Sequence, residues 1–232
     1  MRLHATTVRG LSALAILALA GCSHGSAASS GPMSSPTVPV HPDGESALAL
    51  APLSSTALAK LLLDESDLGG DYTRMPQRAT AHDDVTVNGC PALEKLGGDA
   101  ATGTSLAFPR KAKASFTYAG GGNSELAEEL YSDTATKLSK GIGKIFDAMV
   151  SCPTYQVVSG NTVVTVGTQV TPAPDLGDEQ WSQLLTYSIG GQRSVVKQTA
   201  IRIGNVLVLV SGAPGLVDAN LEKALDKAEA AL

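Results

Sequence analysis

Apolar positions along the chain follow two periods, and the change between them divides it into elements. Leu58-Ala-Lys-Leu-Leu-Leu63, preceded by the capping residues Ser54, Ser55 and Thr56, predicts a short helix. Asp64-Glu-Ser-Asp-Leu68 and the break Gly69-Gly70 follow it. Cys90-Pro91 opens a second short turn or helix that reaches Leu96 and stops at Gly97-Gly98. In Ala114-Ser-Phe-Thr-Tyr118 the aromatic residues alternate, which predicts a half-buried strand with Phe116 and Tyr118 on one face and Arg110, Lys111 and Lys113 at its solvated start. From Ser124 to about Val150 the residues Leu126, Leu130, Leu138, Ile142, Ile145 and Met149 recur at three- and four-residue steps or their sums. That spacing predicts one long amphipathic helix, N-capped by Ser124, with an acidic first turn that suits the helix dipole. Gly141 and Gly143 weaken its middle, and Cys152-Pro153 ends it.

The last third changes to β-branched and alternating runs: Thr162–Val166, Trp181–Ile189, Ser194–Ile203 and Val206–Val210. Gly190-Gly191 and Gly204-Asn205 have the length of tight hairpin turns, so an antiparallel meander is expected. Trp181, Leu185 and Tyr187 share one face of it, and Val206, Val208 and Val210 lie on one side of the final strand. A helix from about Leu216 to Leu232, with the stripe Leu221, Leu225 and Ala228, closes the chain. The expected class is α+β: a mostly antiparallel sheet with helices packed on one face and one disulfide.

The first residues add a location. A basic start with Arg2 and Arg9 precedes the apolar run Leu11–Leu19 and then Ala20-Gly21-Cys22, the order of a secretion signal. The apolar run is about ten residues, roughly 15 Å as a helix, which is too short to cross a hydrocarbon core of about 30 Å. Leu19-Ala-Gly-Cys22 resembles a bacterial lipobox. That resemblance implies residues 1–21 as a signal peptide and Cys22 as the lipidated residue that anchors the chain to the extracytoplasmic face of the cell membrane. Residues 22–55 are dominated by Ser, Ala, Gly and Pro, cannot bury enough apolar surface to offset their ordering entropy, and read as a tether to one domain over 56–232.

Charge and cysteine count narrow the chemistry. The net charge is −5 and no stretch gathers Lys and Arg on one face, which argues against nucleic acid as a partner. With Cys22 taken by lipid, Cys90 and Cys152 are an even pair in an oxidising compartment and read as a disulfide; two distant thiols are too few for a metal centre. His82, in the polar run Thr80–Asp84, is the one histidine of the domain, and no G-x-S-x-G elbow accompanies it. Asp64, Glu65, Asp67 and Asp71 have some spacing of a Ca²⁺ loop without its order of ligands, and read as a solvated helix end. Asp175, Asp178 and Glu179 offer paired carboxylates for acid–base work or, following Pro172-Ala-Pro174, a polar loop entering a strand. Aromatic residues make up only 4% of the chain, so Phe116 with Tyr118 and Trp181 with Tyr187 mark either the core or the wall of a ligand cleft. No catalytic group, metal or cofactor is assigned.

Leu61-Leu-Leu63 with Asp67-Leu68, the helix-terminal Cys152-Pro-x-Tyr155, and Ile201-Arg-Ile-Gly-Asn-Val206 followed by Leu207-Val-Leu-Val-Ser-Gly212 together resemble the extracellular sensor domain of PknH-type receptor Ser/Thr kinases of actinobacteria. The resemblance covers about residues 56–232. It implies an α+β domain with a ligand cleft and no catalytic role. The chain departs from that family in having one cysteine pair where two disulfides are common. The expected function is thus ligand binding or sensing at the envelope, the ligand being a small molecule, a lipid or an envelope component. A membrane signalling protein is the expected partner for any signal, since the chain carries no kinase motif. An envelope scaffold acting through protein contacts is the alternative, and a hydrolase of unrecognised type the third. A sizeable apolar cavity favours the first, a flat exposed apolar patch the second, and a buried carboxylate with a shifted pKa in a cleft the third.

Overall fold

Alternating side chains and tight glycine turns fold the chain into one antiparallel sheet. The computed structural model describes residues 51–77, 85–97, 108–120, 124–230 and 232. Its strands are β1 (Tyr72–Arg74), β2 (Val85–Asn88), β3 (Lys111–Tyr118), β4 (Ser124–Ser132), β5 (Thr154–Ser159), β6 (Thr162–Val170), β7 (Glu179–Ile189), β8 (Gln192–Ile203) and β9 (Val206–Gly212). They lie in the order β1-β3-β4-β9-β8-β7-β6-β5-β2. Every neighbouring pair is antiparallel. The helices are α1 (Ser55–Leu61), α2 (Glu65–Leu68), α3 (Pro91–Glu94), α4 (Ala135–Val150) and α5 (Pro214–Glu229).

The α+β class, the antiparallel meander of β6 to β9 and the closing helix are as the sequence predicts. The helices, however, cover both faces of the sheet where one was expected. Val206, Val208 and Val210 of β9 join a core with Leu58, Phe116, Leu126, Leu130 and Leu221, under α1, α2 and α5. Leu207 and Leu209 point the other way, into a core with Tyr131 of β4 and with Leu138, Ile142 and Phe146 of α4. A strand buried on both sides reads as the unbroken apolar run Val206–Val210.

The single helix expected over Ser124–Val150 is a strand followed by a helix. Ser124 to Ser132 form β4, between β3 and β9, and Ser124 caps nothing. The reason lies in the spacing: Leu126 and Leu130 are four residues apart, an interval that returns to the same face in a helix and in a strand alike. Between them on that face stands Glu128, whose charge breaks the apolar pattern of a central strand. Within α4, Gly141 does not break the helix; a Cβ there would lie 2.5 Å from Cζ of Phe108, whose ring packs on the helix.

Cys90, at the N-cap of α3, and Cys152, just past α4, are joined in a disulfide with their Cα atoms 5.7 Å apart. The bond ties α3 and the edge strand β2 to the end of α4. The fold also takes in residues before Thr56: the Leu53 amide donates to Ser132 Oγ (2.8 Å), and Asn205 Nδ2 donates to the Ala51 carbonyl (2.6 Å). Among the described residues no helix is long and apolar enough to cross a membrane.

Candidate functional site

Two prolines and a glycine shape a concavity beside α5. Pro172 and Pro174 carry the chain out of β6 with fixed φ and no amide to extend the ladder. Gly177, at φ +67°, then turns it against β8; a Cβ there would meet Ile201 Cγ2 at 2.6 Å and the Arg202 carbonyl oxygen at 2.7 Å. Asp178 fastens this turn, its Oδ2 accepting from Arg202 Nη1 (2.8 Å) and from the Gly204 amide (2.8 Å). Glu179 pairs with Arg202 Nε at 3.2 Å, and that guanidinium holds the Glu179 carboxyl below its usual range.

The loop so fixed stands away from α5 and leaves a cleft of about 330 Å³ lined by Pro172, Pro174, Leu176, Lys197, Leu221 and Glu222, with Asp218 beside Lys197. Lys197 Nζ lies 2.5 Å from Asp218 Oδ1, so an ion pair accompanies the apolar wall. Lys197 projects from the same side of the sheet as Val163 and Val195, by their register with β7. Both valines are exposed, at 49% and 45%. The cleft therefore opens beside a stretch of sheet that no described helix covers. Chemically the arrangement suits retention of a ligand with an apolar body and a polar end.

The aromatic pairs, which the sequence left as either core or cleft wall, do not converge on it. Phe116 aligns across β4 and β9 with Leu126 and Gly212, on the α5 side, and is fully buried. Tyr118, half-buried, packs on Tyr72 with ring centroids 4.8 Å apart. Trp181 and Tyr187 face the opposite side, where Trp181 lies 6.4 Å from Phe146. Burial pushes the Tyr187 hydroxyl up to about 12. None of the four lines the cleft at α5.

Of the acidic candidates, Asp64, Glu65 and Asp67 use their side chains in structure. Asp64 N-caps α2 in a capping box with Asp67. Ser66 and Lys227 hydrogen-bond the Asp64 carboxyl and hold it well below the usual range. Lys227 Nζ lies 3.2 Å from Asp64 Oδ2 and also binds Asp67, fastening α5 over α2. Glu65 Oε1 accepts from the Arg74 amide (2.8 Å), and the Asp71 carbonyl accepts from the Ala119 amide (2.9 Å). Asp175 is exposed on the loop beside the cleft. Among the described residues no group of three or more His, Cys, Asp or Glu is placed to hold a metal ion. Cys22, the segment 1–21, most of the tether and His82 lie outside the described residues.

Sequence reasoning missed Glu128. It is 0% exposed; its Oε2 accepts from the Leu63 amide at 2.6 Å, and its Oε1 has no partner. Desolvation pushes its carboxyl up to about 8. It is enclosed in the core and does not line the cleft, so it offers a substrate no contact.

No family profile and no curated protein matches the chain. Among solved structures it is similar to the extracellular domain of PknH from Mycobacterium tuberculosis, seen by crystallography, with a TM-score of 0.55 and 16% identity over 76% of this chain and 96% of that one. At that identity the likeness establishes the fold: this chain has the fold of the PknH extracellular domain, as its sequence resemblance implied.

Proposed function

We propose that the chain is a membrane-anchored lipoprotein, lipidated at Cys22, whose folded part binds or senses a ligand on the extracytoplasmic side without catalysis. The observation that carries this reading is the cleft between α5, β8 and the loop from Pro172 to Leu176, on a fold that PknH carries in its extracellular domain. The anchor rests on the lipobox-like Leu19-Ala-Gly-Cys22 and the preceding apolar run. A non-catalytic role accords with the engagement of Asp178 and Glu179 by Arg202 and with the enclosure of Glu128. The ligand class is a small molecule, lipid or envelope fragment with an apolar body, and a membrane protein would relay its binding.

The test is native mass spectrometry of the full chain purified from its host envelope, beside the same chain with Lys197→Ala. A reproducible mass excess lost on denaturation and diminished by Lys197→Ala is expected. An excess that the variant leaves untouched would place the ligand elsewhere. No excess at all would favour an envelope scaffold, the reading that exposed Val163 and Val195 support.

A further inference from the structure

Glu128 sits where a central strand is expected to carry an apolar residue. Its same-strand neighbours on that face are Leu126 and Leu130, both fully buried. Across the ladder it faces Ala114 on β3 and Val210 on β9. Leu58 of α1, and Leu62 and Leu63 of the connector to α2, complete the apolar shell. Into this shell the protein supplies one hydrogen bond to the carboxyl, from the Leu63 amide to Oε2, and leaves Oε1 without a partner. A carboxylate so placed lacks the donors that an ion needs, whereas a neutral acid sheds most of that penalty.

The charged groups that bear on Glu128 come from three elements. Lys227 of α5 and Arg74 of β1 favour its charge, and Asp67 of α2 opposes it. Lys227 is already committed to Asp64 and Asp67, and the Arg74 guanidinium stands 5.8 Å from the Phe116 ring centroid. Burial outweighs them all. The bond that Glu128 does make is to the backbone between α1 and α2, the segment through which the chain enters the fold from residue 51.

We propose that Glu128 is a proton-operated clamp: protonated, it seats the α1–α2 connector on the sheet, and loss of its proton on opening makes the connector easier to release as the surroundings turn from acidic to neutral and mildly alkaline. The sign follows from linkage. An opened connector exposes Glu128 to water, where the group has its ordinary value of 4.5, against about 8 when closed. Closing therefore takes up a proton between those limits. The clamp is tightest below the lower value, weakens as pH rises between them, and is constant above the upper one.

Hydrogen exchange of the full chain tests this, followed by mass spectrometry over residues 55–68 and corrected for the intrinsic pH dependence of exchange. Protection of this segment is expected to fall roughly tenfold per pH unit between about pH 5 and about 8, the slope of one proton, and then to level off. In Glu128→Gln, which keeps an acceptor for the Leu63 amide, it is expected to be independent of pH. Peptides of α4, on the opposite face, serve as the control. Because the variant can fail to fold, the carboxyl carbon of Glu128 is also followed by NMR in the unaltered chain, where a midpoint near 8 is expected. A midpoint near 4.5, or the same pH dependence in the variant as in the parent, would overturn the clamp.

Discussion

Gly177 joins backbone conformation to the shape of the cleft more directly than any other residue. It carries φ +67° and has no room for a Cβ, because Ile201 Cγ2 and the Arg202 carbonyl oxygen occupy that space. Gly177→Ala meets a left-handed backbone and a backbone clash together. It is expected to cost about 1–3 kcal/mol, read as a lowered urea midpoint, and to loosen the loop that forms the cleft wall. A substitution as stable as the parent would mean that the turn adapts and does not fix the loop. The role of Gly177 could not be read from the sequence around it, since the constraint comes from β8, twenty-odd positions later. Glu128 is the reverse case. Its residue type argued for solvent and disguised a central strand; what keeps it inside is the burial of its neighbours, a property of the assembled sheet.

At the scale of elements, local chemistry and alternation set what was legible. The turns Gly190-Gly191 and Gly204-Asn205, the cap at Ser54 and the alternation in β3, β7 and β8 each act within a few residues, and each element forms where it was expected. β1 and β2 have three and four residues, too few to show a period, and were not legible before the fold was known. Cys90 and Cys152 were readable as a pair, and the structure adds what they fasten: the short α3 and edge strand β2, which alone would bury little. Replacing both by Ser releases a loop whose ends are 62 residues apart in sequence. The expected loss is about 2–4 kcal/mol in urea denaturation. Because the bond joins α3 to the end of α4, reduction is also expected to expose Val87 and Leu93 to exchange before Leu207 and Leu209. Simultaneous loss of protection everywhere would instead show that the disulfide governs the whole fold.

For the molecule as a whole, alternation and turn residues made the sheet legible, whereas the position of the cleft beside α5 was not. α4 buries Leu138, Ile142 and Met149 against its face of the sheet, and the cleft lies beside α5. Which helix leaves a gap depends on the path of the loop from Pro172 to Leu176, set by its anchor on Arg202, and no periodicity encodes that. Whole-molecule electrostatics were equally hidden, and they yield a distinctive stability profile. Asp64, Asp133 and Glu179 have carboxyl values below the ordinary range, set chiefly by Ser66, the Thr134 amide and Arg202 respectively. Their contributions are present above about pH 4 and are lost as pH falls through the folded values. Glu128 acts with the opposite sign: its contribution is complete below about 4.5 and lost as pH rises to about 8. The two trends meet on the acidic side, so maximum stability is expected near pH 4 to 5, below the usual optimum of about 5 to 8. Because Glu128 is fully buried, its swing is on the order of a few kcal/mol. Urea midpoints measured from pH 3 to pH 9 should therefore show a decline from pH 5 to pH 8 in the parent and a plateau in Glu128→Gln. A parent curve already flat over that interval would mean that water or a structural shift solvates the Glu128 carboxylate, and that the apolar shell around it does not control its charge.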